Sequence, residues 1–431
     1  MVSSLLSHHA RRGAVIAGFL GGLAVRADAE GLQPLETFIA SANRQNPDNH
    51  VAEASADQAA AQRDAARASY LPTLSAQGVY TRNQFETVFS LSSTQTFVIQ
   101  PLNSVDAYLT LAVPLINVGG WQQHRAAAHN AEAADRSRVT TQISIEARVT
   151  QTYYQLLGAE AVAFAAQQSV EVARNHLKAV RDRRELGTAS DLDLQRAIAS
   201  AAQSTQDAAS AAQAVVDARR ALESLTRVHP EPATRTNYTE DDLHEETALA
   251  DWCKDPETLT AVQPALAQTR AAEASRDAAK AALLPTLAAQ GQEHLTNAGG
   301  FTGKDAVYTL TVTASWRFDF GVMPNLRAQT AAVNVAKARE DSARRAAADA
   351  INQAWNQVHL GIAKARAARE QLKAATLAQD IARDRYANGV STQLEVIQAQ
   401  RDLFSAAVSQ VQADFDLEYA RALLRLVSRH S

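Results

Sequence analysis

Two segments of the chain alternate between apolar and polar residues with a period of two. In the first, the odd positions carry Val105, Ala107, Leu109, Leu111, Val113 and Leu115. In the second, the even positions carry Ala306, Tyr308, Leu310, Val312, Ala314, Trp316 and Phe318, with mostly Thr and Ser between them. Alternation over about ten residues predicts a β-strand with two different faces. Strands of soluble sandwiches also alternate, but this length, a hydroxyl-rich face and terminal aromatics are typical of strands that cross an outer membrane.

Each alternating segment follows another stretch that also predicts a strand. The four predicted strands cover about 73–82, 105–116, 286–296 and 305–319. In the first half, a loop rich in Ser, Thr and Asn joins the two strands and contains Phe85, Phe89 and Phe97. The chain therefore carries two predicted strand pairs, far apart in sequence.

The remaining sequence lacks this alternation and predicts long helices, because it is rich in Ala, Gln, Glu and Arg and poor in Gly and Pro. The predicted helices cover 35–69 (interrupted at Asn46-Pro47), 122–186, 191–226, 324–386 and 393–428. A helix of sixty-odd residues reaches about 95 Å. Gly158 and Gly361 are the predicted soft points within the two longest helices.

The strand pairs belong to an internal duplication. Residues 63–78 and 276–291 are identical at twelve of sixteen aligned positions, and both contain Leu-Pro-Thr-Leu. Pro72 and Pro285 disfavour helix at the preceding residue, so each predicts the junction at which a helix stops and a strand begins. Gly119 and Gly321 mark the opposite junctions, where the second strand of each pair leads into a long helix.

A second duplicated motif closes each long helix. Residues 181–187 correspond to 383–389, and both stretches end in a glycine, Gly187 or Gly389. Glycine supplies a left-handed helix cap, and Ser190 or Asp191, and Ser391 or Thr392, can cap the returning helix. Each copy therefore ends in a helical hairpin whose geometry requires nothing beyond an ordinary turn. Its recurrence in the same order indicates a shared functional end.

These features divide the chain into four parts. Residues 1–29 predict a cleaved signal peptide, with Arg11-Arg12, an apolar run of twelve residues and an Ala27-Asp28-Ala29 cleavage site. Residues 30–228 form the first repeat, 229–250 a linker and 251–431 the second repeat. The acidic run in the linker predicts a solvated surface, with a calcium-binding or partner-docking role as the alternative.

Composition excludes several classes of function. The net charge of −4 gives no field that would attract nucleic acid. The single Cys253 excludes an intramolecular disulfide framework and a four-cysteine zinc site, and it lies too far from the N-terminus for a lipid anchor. The eleven His show no metal-binding spacing, and no nucleophile, phosphate-binding or dinucleotide motif is present. We therefore expect no enzyme activity, no metal and no cofactor.

Four membrane strands per chain cannot close a barrel, because closed membrane barrels need at least eight and lipid does not tolerate open edges. Strands and long amphipathic helices alike therefore predict a homo-oligomer, in which a barrel continued by a helical tube is a duct. Two alternatives are a periplasmic adaptor with one helical hairpin and a structural coiled-coil protein. The duplicated strand pair argues against both.

Taken in order, the duplicated motifs resemble those of the TolC-like outer-membrane factors, also called outer membrane efflux proteins. The resemblance covers the mature chain and rests on the LPxL stretches, on 114–120 and 316–321, and on the two hairpin motifs. It implies a mainly α-helical fold with a small membrane β part. It also implies a homotrimer whose twelve-stranded outer-membrane β-barrel continues into a periplasmic α-helical barrel.

The resemblance also implies a location and partners. The chain would reside in outer-membrane lipid with a large periplasmic part. It would dock a periplasmic adaptor, also called a membrane fusion protein, and an inner-membrane pump or secretion ATPase. Drug efflux, metal efflux and type I protein secretion remain open as cargo classes.

Functional residues follow from the resemblance at the hairpins. The implied adaptor-contacting tips are Arg183, Gly187, Ser190, Leu192, Arg385, Gly389, Ser391 and Leu394. The implied periplasmic constriction includes Glu395 and its first-repeat counterpart Asp193. The alternative for Glu395 is an ordinary exposed position on a helix. Gln398 stands where the family often has a second acid, so a ring containing three Glu would select cations less strongly than a ring of six acids.

One mismatch concerns the strands. Aligning Gly119 with Gly321 places Leu109 opposite Thr311, which puts the apolar faces of the two repeats out of phase by one residue. A one-residue slip moves every side chain to the other face. A β-bulge near Pro114 would restore the phase, and we expect one there.

Overall fold

The computed structural model describes residues 32–92, 95–231, 241–317 and 319–430. The predicted signal peptide and Phe318 lie outside these ranges. The helices are α1 Leu35–Gln45, α2 Pro47–Arg67, α3 Val118–Glu185, α4 Asp191–Thr226, α5 Leu249–Trp252, α6 Gln263–Ala281, α7 Val322–Ala387 and α8 Gln393–Val427. The strands are β1 Thr73–Arg82, β2 Thr87–Ser92, β3 Gln95–Gln100, β4 Asn103–Ile116, β5 Thr286–Thr296 and β6 Ala306–Ser315.

The helical breaks occur where local chemistry requires them. Asn46 separates α1 from α2, because its side chain accepts a hydrogen bond from the Asp48 backbone N–H at 2.9 Å and Pro47 follows at the first helical position. The two long helices, α3 and α7, run without a break for 68 and 66 residues, about 100 Å each. The predicted rods are therefore confirmed.

Four strands form one antiparallel sheet in the order β1-β4-β5-β6. The central pair, β4 and β5, comes from different repeats, so the sheet joins the two halves of the chain. Within the described residues, β1 pairs only with β4 and β6 only with β5. Both outer strands therefore carry an unpaired row of backbone donors and acceptors.

The two faces of this sheet differ in chemistry. One, here called the apolar face, carries Leu74, Ala76, Tyr80, Val105, Ala107, Leu109, Leu111, Val113, Leu287, Ala289, Leu295, Ala306, Tyr308, Leu310, Val312 and Ala314, interrupted by Glu293. The opposite, polar face carries Thr, Ser and Gln side chains together with Asp106, Tyr108 and His294. Leu310 is 78% exposed and Leu74 is 69% exposed, so the apolar face lacks cover within the described part of this chain.

The bulge predicted near Pro114 is confirmed. Between β4 and β5, Pro114 pairs with Ala288 and Ile116 with Leu287, so Leu115 is the extra residue. The registers of the β1–β4 and β5–β6 pairs also show one extra residue in the first repeat. Thr73 lies opposite Ala112, seven residues before Gly119, whereas Thr286 lies opposite Ser315, six residues before Gly321. The inserted residue restores a common apolar face.

The prediction of an irregular loop between the first pair of strands is wrong in part. Residues 87–92 and 95–100 form a separate antiparallel pair of strands, β2 and β3. Its Phe89 and Phe97 pack against Phe301, in the β5–β6 connection, with ring centroids 5.3 and 5.8 Å apart. Phe89 and Phe97 thus connect the strand-joining segments of the two repeats.

The two glycines predicted as soft points, Gly158 and Gly361, lie within unbroken helices and face a neighbouring helix. A Cβ atom at Gly361 would lie 3.1 Å from Leu417 Cδ1 and 3.4 Å from its Cα. Leu417 is fully buried, in a cluster with Ile351, Val358 and Leu424. Gly158 faces Phe415 at an ordinary contact distance of 3.4 Å. Both are packing positions between α8 and a long helix.

The acidic run of the linker is only partly a solvated surface. Asp242 and Glu245 are exposed, but the side chains of Asp241 and Glu246 are only 6% and 10% exposed and bind Arg421 of α8, which is 3% exposed. Arg421 Nε lies 2.9 Å from Asp241 Oδ2, and Nη2 donates to the His244 carbonyl at 2.7 Å. A buried guanidinium needs such partners. The linker therefore packs as a strap across the second repeat.

Candidate functional site: the hairpin tips and the sheet junctions

The first hairpin tip is built by its glycine and its caps. Gly187 adopts φ +76°, a left-handed conformation that ends α3. Its N–H donates to the Arg184 carbonyl at 2.9 Å, and the Thr188 N–H donates to the Arg183 carbonyl at 2.8 Å. Ser190 caps α4 in a capping box with Asp193. Of the two predicted caps, Ser190 is the one used.

The second tip repeats this arrangement. Gly389 has φ +75°, and its N–H donates to the Tyr386 carbonyl at 3.1 Å. Thr392 caps α8 by accepting from the Glu395 N–H at 3.4 Å. The predicted pair of duplicated hairpins is confirmed in its local geometry, and Thr392 is the N-cap.

Glu395 and Asp193 occupy the same capping position in the two hairpins. The Glu395 carboxylate is exposed and accepts from the Ser391 hydroxyl at 2.7 Å and the Thr392 hydroxyl at 3.2 Å. The Ser391 hydrogen bond above all, followed by the Thr392 contacts, lowers the pKa of the Glu395 carboxyl. The carboxylate is therefore charged throughout the neutral range. Gln398, one turn further along α8, is exposed.

The structure brings the two tips into direct contact. The Arg183 guanidinium lies 4.6 Å from the centroid of the Tyr386 ring, and its Nη1 donates to the Tyr386 carbonyl at 3.4 Å. The buried Gln393 donates through Nε2 to the Asp193 carbonyl at 2.7 Å. These contacts tie the first repeat to the second at their common end.

Sequence reasoning selected Arg183 but missed Tyr386 and Gln393. A signal was present in the duplication itself. Tyr386 stands where the first hairpin has Arg184, and Gln393 stands where it has Asp191. Arg184 and Asp191 form an ion pair within the first tip at 2.6 Å, whereas their counterparts reach across to the other tip. The departures from internal symmetry mark the contacts between hairpins.

The tips also expose apolar side chains. Leu186 and Val390 are 78% and 65% exposed, and Leu192 and Leu394 are also exposed. Each tip thus presents two apolar residues beside its glycine. The predicted tip residues Arg385 and Ser391 lie in the same turns, with Ser391 bound to Glu395.

At the other end of the helices, the predicted junction residues lie where helices meet the sheet. Pro72 and Pro285 directly precede β1 and β5, and Gly321 caps α7, with its N–H donating to Asp319 Oδ1 at 2.8 Å. Gly119 lies in the first turn of α3. The crowded position is its neighbour Gly120, where a Cβ atom would lie 2.6 Å from Asn117 Nδ2 and 2.7 Å from Ser69 Oγ.

The polar face of the sheet carries a cluster of ionisable side chains. His294 Nε2 donates to Asp106 Oδ1 at 2.8 Å, and the Tyr108 ring stacks on His294 with centroids 4.4 Å apart. Ser104 donates to Asp106 Oδ2 at 2.8 Å. Such groups require water or polar partners, so this face suits an aqueous lumen and the opposite face suits lipid.

No helix within the described ranges has an apolar stretch long enough to cross a membrane.

Comparison with known proteins gives one family and one fold. The family described as outer membrane efflux protein matches residues 38–226 and 260–428. No curated protein sequence matches the chain. Among solved structures, a membrane protein from Pseudomonas aeruginosa is 21% identical with a TM-score of 0.78, and the match covers 92% of this chain and 93% of that one.

Two further solved structures share the fold. The Campylobacter jejuni CmeC outer membrane channel is 15% identical with a TM-score of 0.78, over 97% of this chain and 93% of that one. The Neisseria gonorrhoeae MtrE outer membrane channel, solved in its open state, is 20% identical with a TM-score of 0.76, over 92% and 89%. At these identities the likeness establishes the fold.

The contact between tips makes a testable prediction. Replacing Arg183 with Ala removes the cation above Tyr386, an interaction worth about 0.5–1 kcal/mol at an exposed site. Amide hydrogen exchange in both tip turns, 186–190 and 388–392, should therefore accelerate by about two- to fivefold. Arg385→Ala, the equivalent change in the second hairpin, is the control and should alter exchange in its own turn only. Equal amide hydrogen exchange in wild type and Arg183→Ala would show that the Arg183–Tyr386 contact does not stabilise the two tips.

Proposed function

The chain belongs to the outer membrane efflux protein family, and from that premise we propose that it is the outer-membrane duct of a tripartite export system. Three copies contribute four strands each to a twelve-stranded barrel, and their helices continue it as a periplasmic tube. Substrate enters at the hairpin tips and leaves through the barrel. The protein provides a passage and performs no catalysis.

The observation that carries this proposal is the unfinished sheet. Its apolar face is exposed, its outer strands β1 and β6 each have one edge unpaired within the described residues, and its polar face holds the His294–Asp106 pair. In lipid, every backbone donor and acceptor of a strand must be paired. Pairing β6 of one copy with β1 of the next satisfies both edges, directs the apolar face to lipid and encloses the polar face.

The proposed protein partners are inferred from the hairpin tips, at the end of the helices opposite the sheet. The exposed apolar residues at the tips, Leu186, Leu192, Val390 and Leu394, suit docking of a periplasmic adaptor, which connects the tube to an inner-membrane pump or secretion ATPase. The constriction is assigned to Glu395, Asp193 and Gln398, close to the tie between the hairpins. Residues 1–29 act as a cleaved signal peptide, and the repeats span 30–228 and 251–431 on either side of the linker.

The orientation of the sheet can be tested with a matched pair of substitutions. Leu310 lies on the apolar face and Thr311 on the polar face of β6. Arginine on the lipid side of a membrane strand costs about 2–4 kcal/mol near the midplane. Leu310→Arg should therefore sharply reduce the trimer recovered from the outer-membrane fraction, and Thr311→Arg should leave it nearly unchanged. The readout is electrophoresis of detergent-extracted protein before and after heating.

Two results of that experiment would contradict the proposed function. Wild-type protein found as a soluble periplasmic monomer would exclude an outer-membrane duct. Greater loss of trimer with Thr311→Arg than with Leu310→Arg would reverse the assignment of the two faces.

The constriction gives a separate prediction. Because the Ser391 hydrogen bond lowers the pKa of Glu395, the carboxylate keeps its charge at neutral pH, and three copies would form a ring that attracts cations. Glu395→Ala should raise single-channel conductance in planar bilayers or weaken block by multivalent cations. Glu395→Gln retains the capping acceptor but removes the charge, so it separates the electrostatic effect from the capping effect. Unchanged conductance and unchanged cation block in both variants would contradict the constriction and leave Glu395 with only a helix-capping role.

A further inference from the structure

A cavity lies where helices of the two repeats meet, away from the tips and the sheet. It has a volume of about 320 Å³ and is formed by α3 and α4 of the first repeat and α8 of the second. Cavities of about 300–1,000 Å³ are typical of small-molecule sites. This space is large enough for one small ring-bearing molecule.

Aromatic side chains line much of this cavity. Tyr154 comes from α3, and Phe415 and Tyr419 come from α8, with the Tyr154 and Phe415 ring centroids 6.4 Å apart. Gly158 helps keep the space open, because it presents no side chain toward Phe415. Burial, reinforced by the nearby Glu418, raises the pKa of Tyr154 to about 12. The Tyr154 ring is therefore neutral at physiological pH.

Four polar side chains of the described lining are exposed to solvent. In the described part of the chain, the side chains of Gln151, Gln155, Gln412 and Asp416 make no hydrogen bond or ion pair. Asp416 is exposed and is the charged member of the described lining.

Two neighbouring carboxylates, unlike Asp416, form ion pairs with arginine. Asp414, two residues earlier on α8, binds Arg369 at 2.8 Å, and Glu160, on α3 close to the cavity, binds Arg219 at 2.6 Å. The Asp416 carboxylate is thus available to neutralise a ligand, whereas Asp414 and Glu160 are already neutralised by arginine.

An aromatic wall beside a free carboxylate favours one class of ligand. Aromatic faces attract cations, and quaternary ammonium groups are bound by clusters of aromatic rings. We propose that this cavity binds a small organic cation that carries an aromatic ring. The ring lies against Tyr154, Phe415 and Tyr419, and the positive charge lies next to Asp416. The ligand touches helices of both repeats, so it bridges the two hairpins. This site depends on the helical fold and does not depend on the proposed duct.

The test is calorimetric titration of the full-length protein in a nonionic detergent with benzyltrimethylammonium chloride, corrected by a detergent-only titration. Binding should saturate at one cation per chain. Benzyl alcohol and benzenesulfonate, which carry the ring without the positive charge, should bind at least about tenfold more weakly. Tyr419→Ala, which removes one ring, should also weaken cation binding.

Asp416→Asn is the decisive variant, because it changes an exposed residue and preserves the shape of the cavity. It should weaken binding of benzyltrimethylammonium about tenfold. Asp402→Asn, an exposed acid on the same helix outside the cavity, is the control and should bind like wild type. The absence of saturable heat, equal affinities of these two variants, or equal binding of the alcohol and the cation would each overturn the proposal.

Discussion

The unpaired edges of the four-stranded sheet are the constraint on which the rest of the structure depends. Each outer strand presents a row of backbone N–H and C=O groups without partners within the described residues, and a membrane supplies no water to satisfy them. The apolar face excludes water as a stable environment for this sheet, and the open edges exclude lipid for a single chain. Association of copies, as proposed, would remove both conflicts. In the proposed assembly, the long helices continue the closed ring of strands as a tube.

Much of this architecture could be predicted because its sequence signals are local and occur in both repeats. Alternating side chains predict strands, the proline of each Leu-Pro-Thr-Leu marks a junction, and the glycines at 187 and 389 end the long helices. The bulge was also predictable, since two strand pairs of one sheet must share an apolar face and their sequences were out of phase by one residue. Duplication supplied an internal comparison from a single sequence.

Contacts that depend on tertiary packing were not predicted from the sequence. The linker acids predicted a solvated surface, but Asp241 and Glu246 pack against Arg421, 180 and 175 residues further along the chain. Gly158 and Gly361 predicted flexibility, yet each accommodates a side chain of α8. Within the candidate site, local capping by Ser190 and Thr392 was predictable, whereas the Arg183–Tyr386 contact joins helices that are distant in sequence. Only the departure of Tyr386 from the internal repeat signalled it.

The account is tested most directly by cross-linking the two edges. With Cys253 replaced by Ser, one cysteine is placed at Ser75 of β1 and a second, in separate variants, at Thr309, Thr311 or Thr313 of β6, all on the polar face. If neighbouring copies pair β1 with β6, at least one combination will form a covalent trimer under oxidation, seen on denaturing electrophoresis, and the single-cysteine variants will not. Membrane-assembled protein that gives no covalent trimer with any combination would contradict the closure of the sheet by copies of this chain.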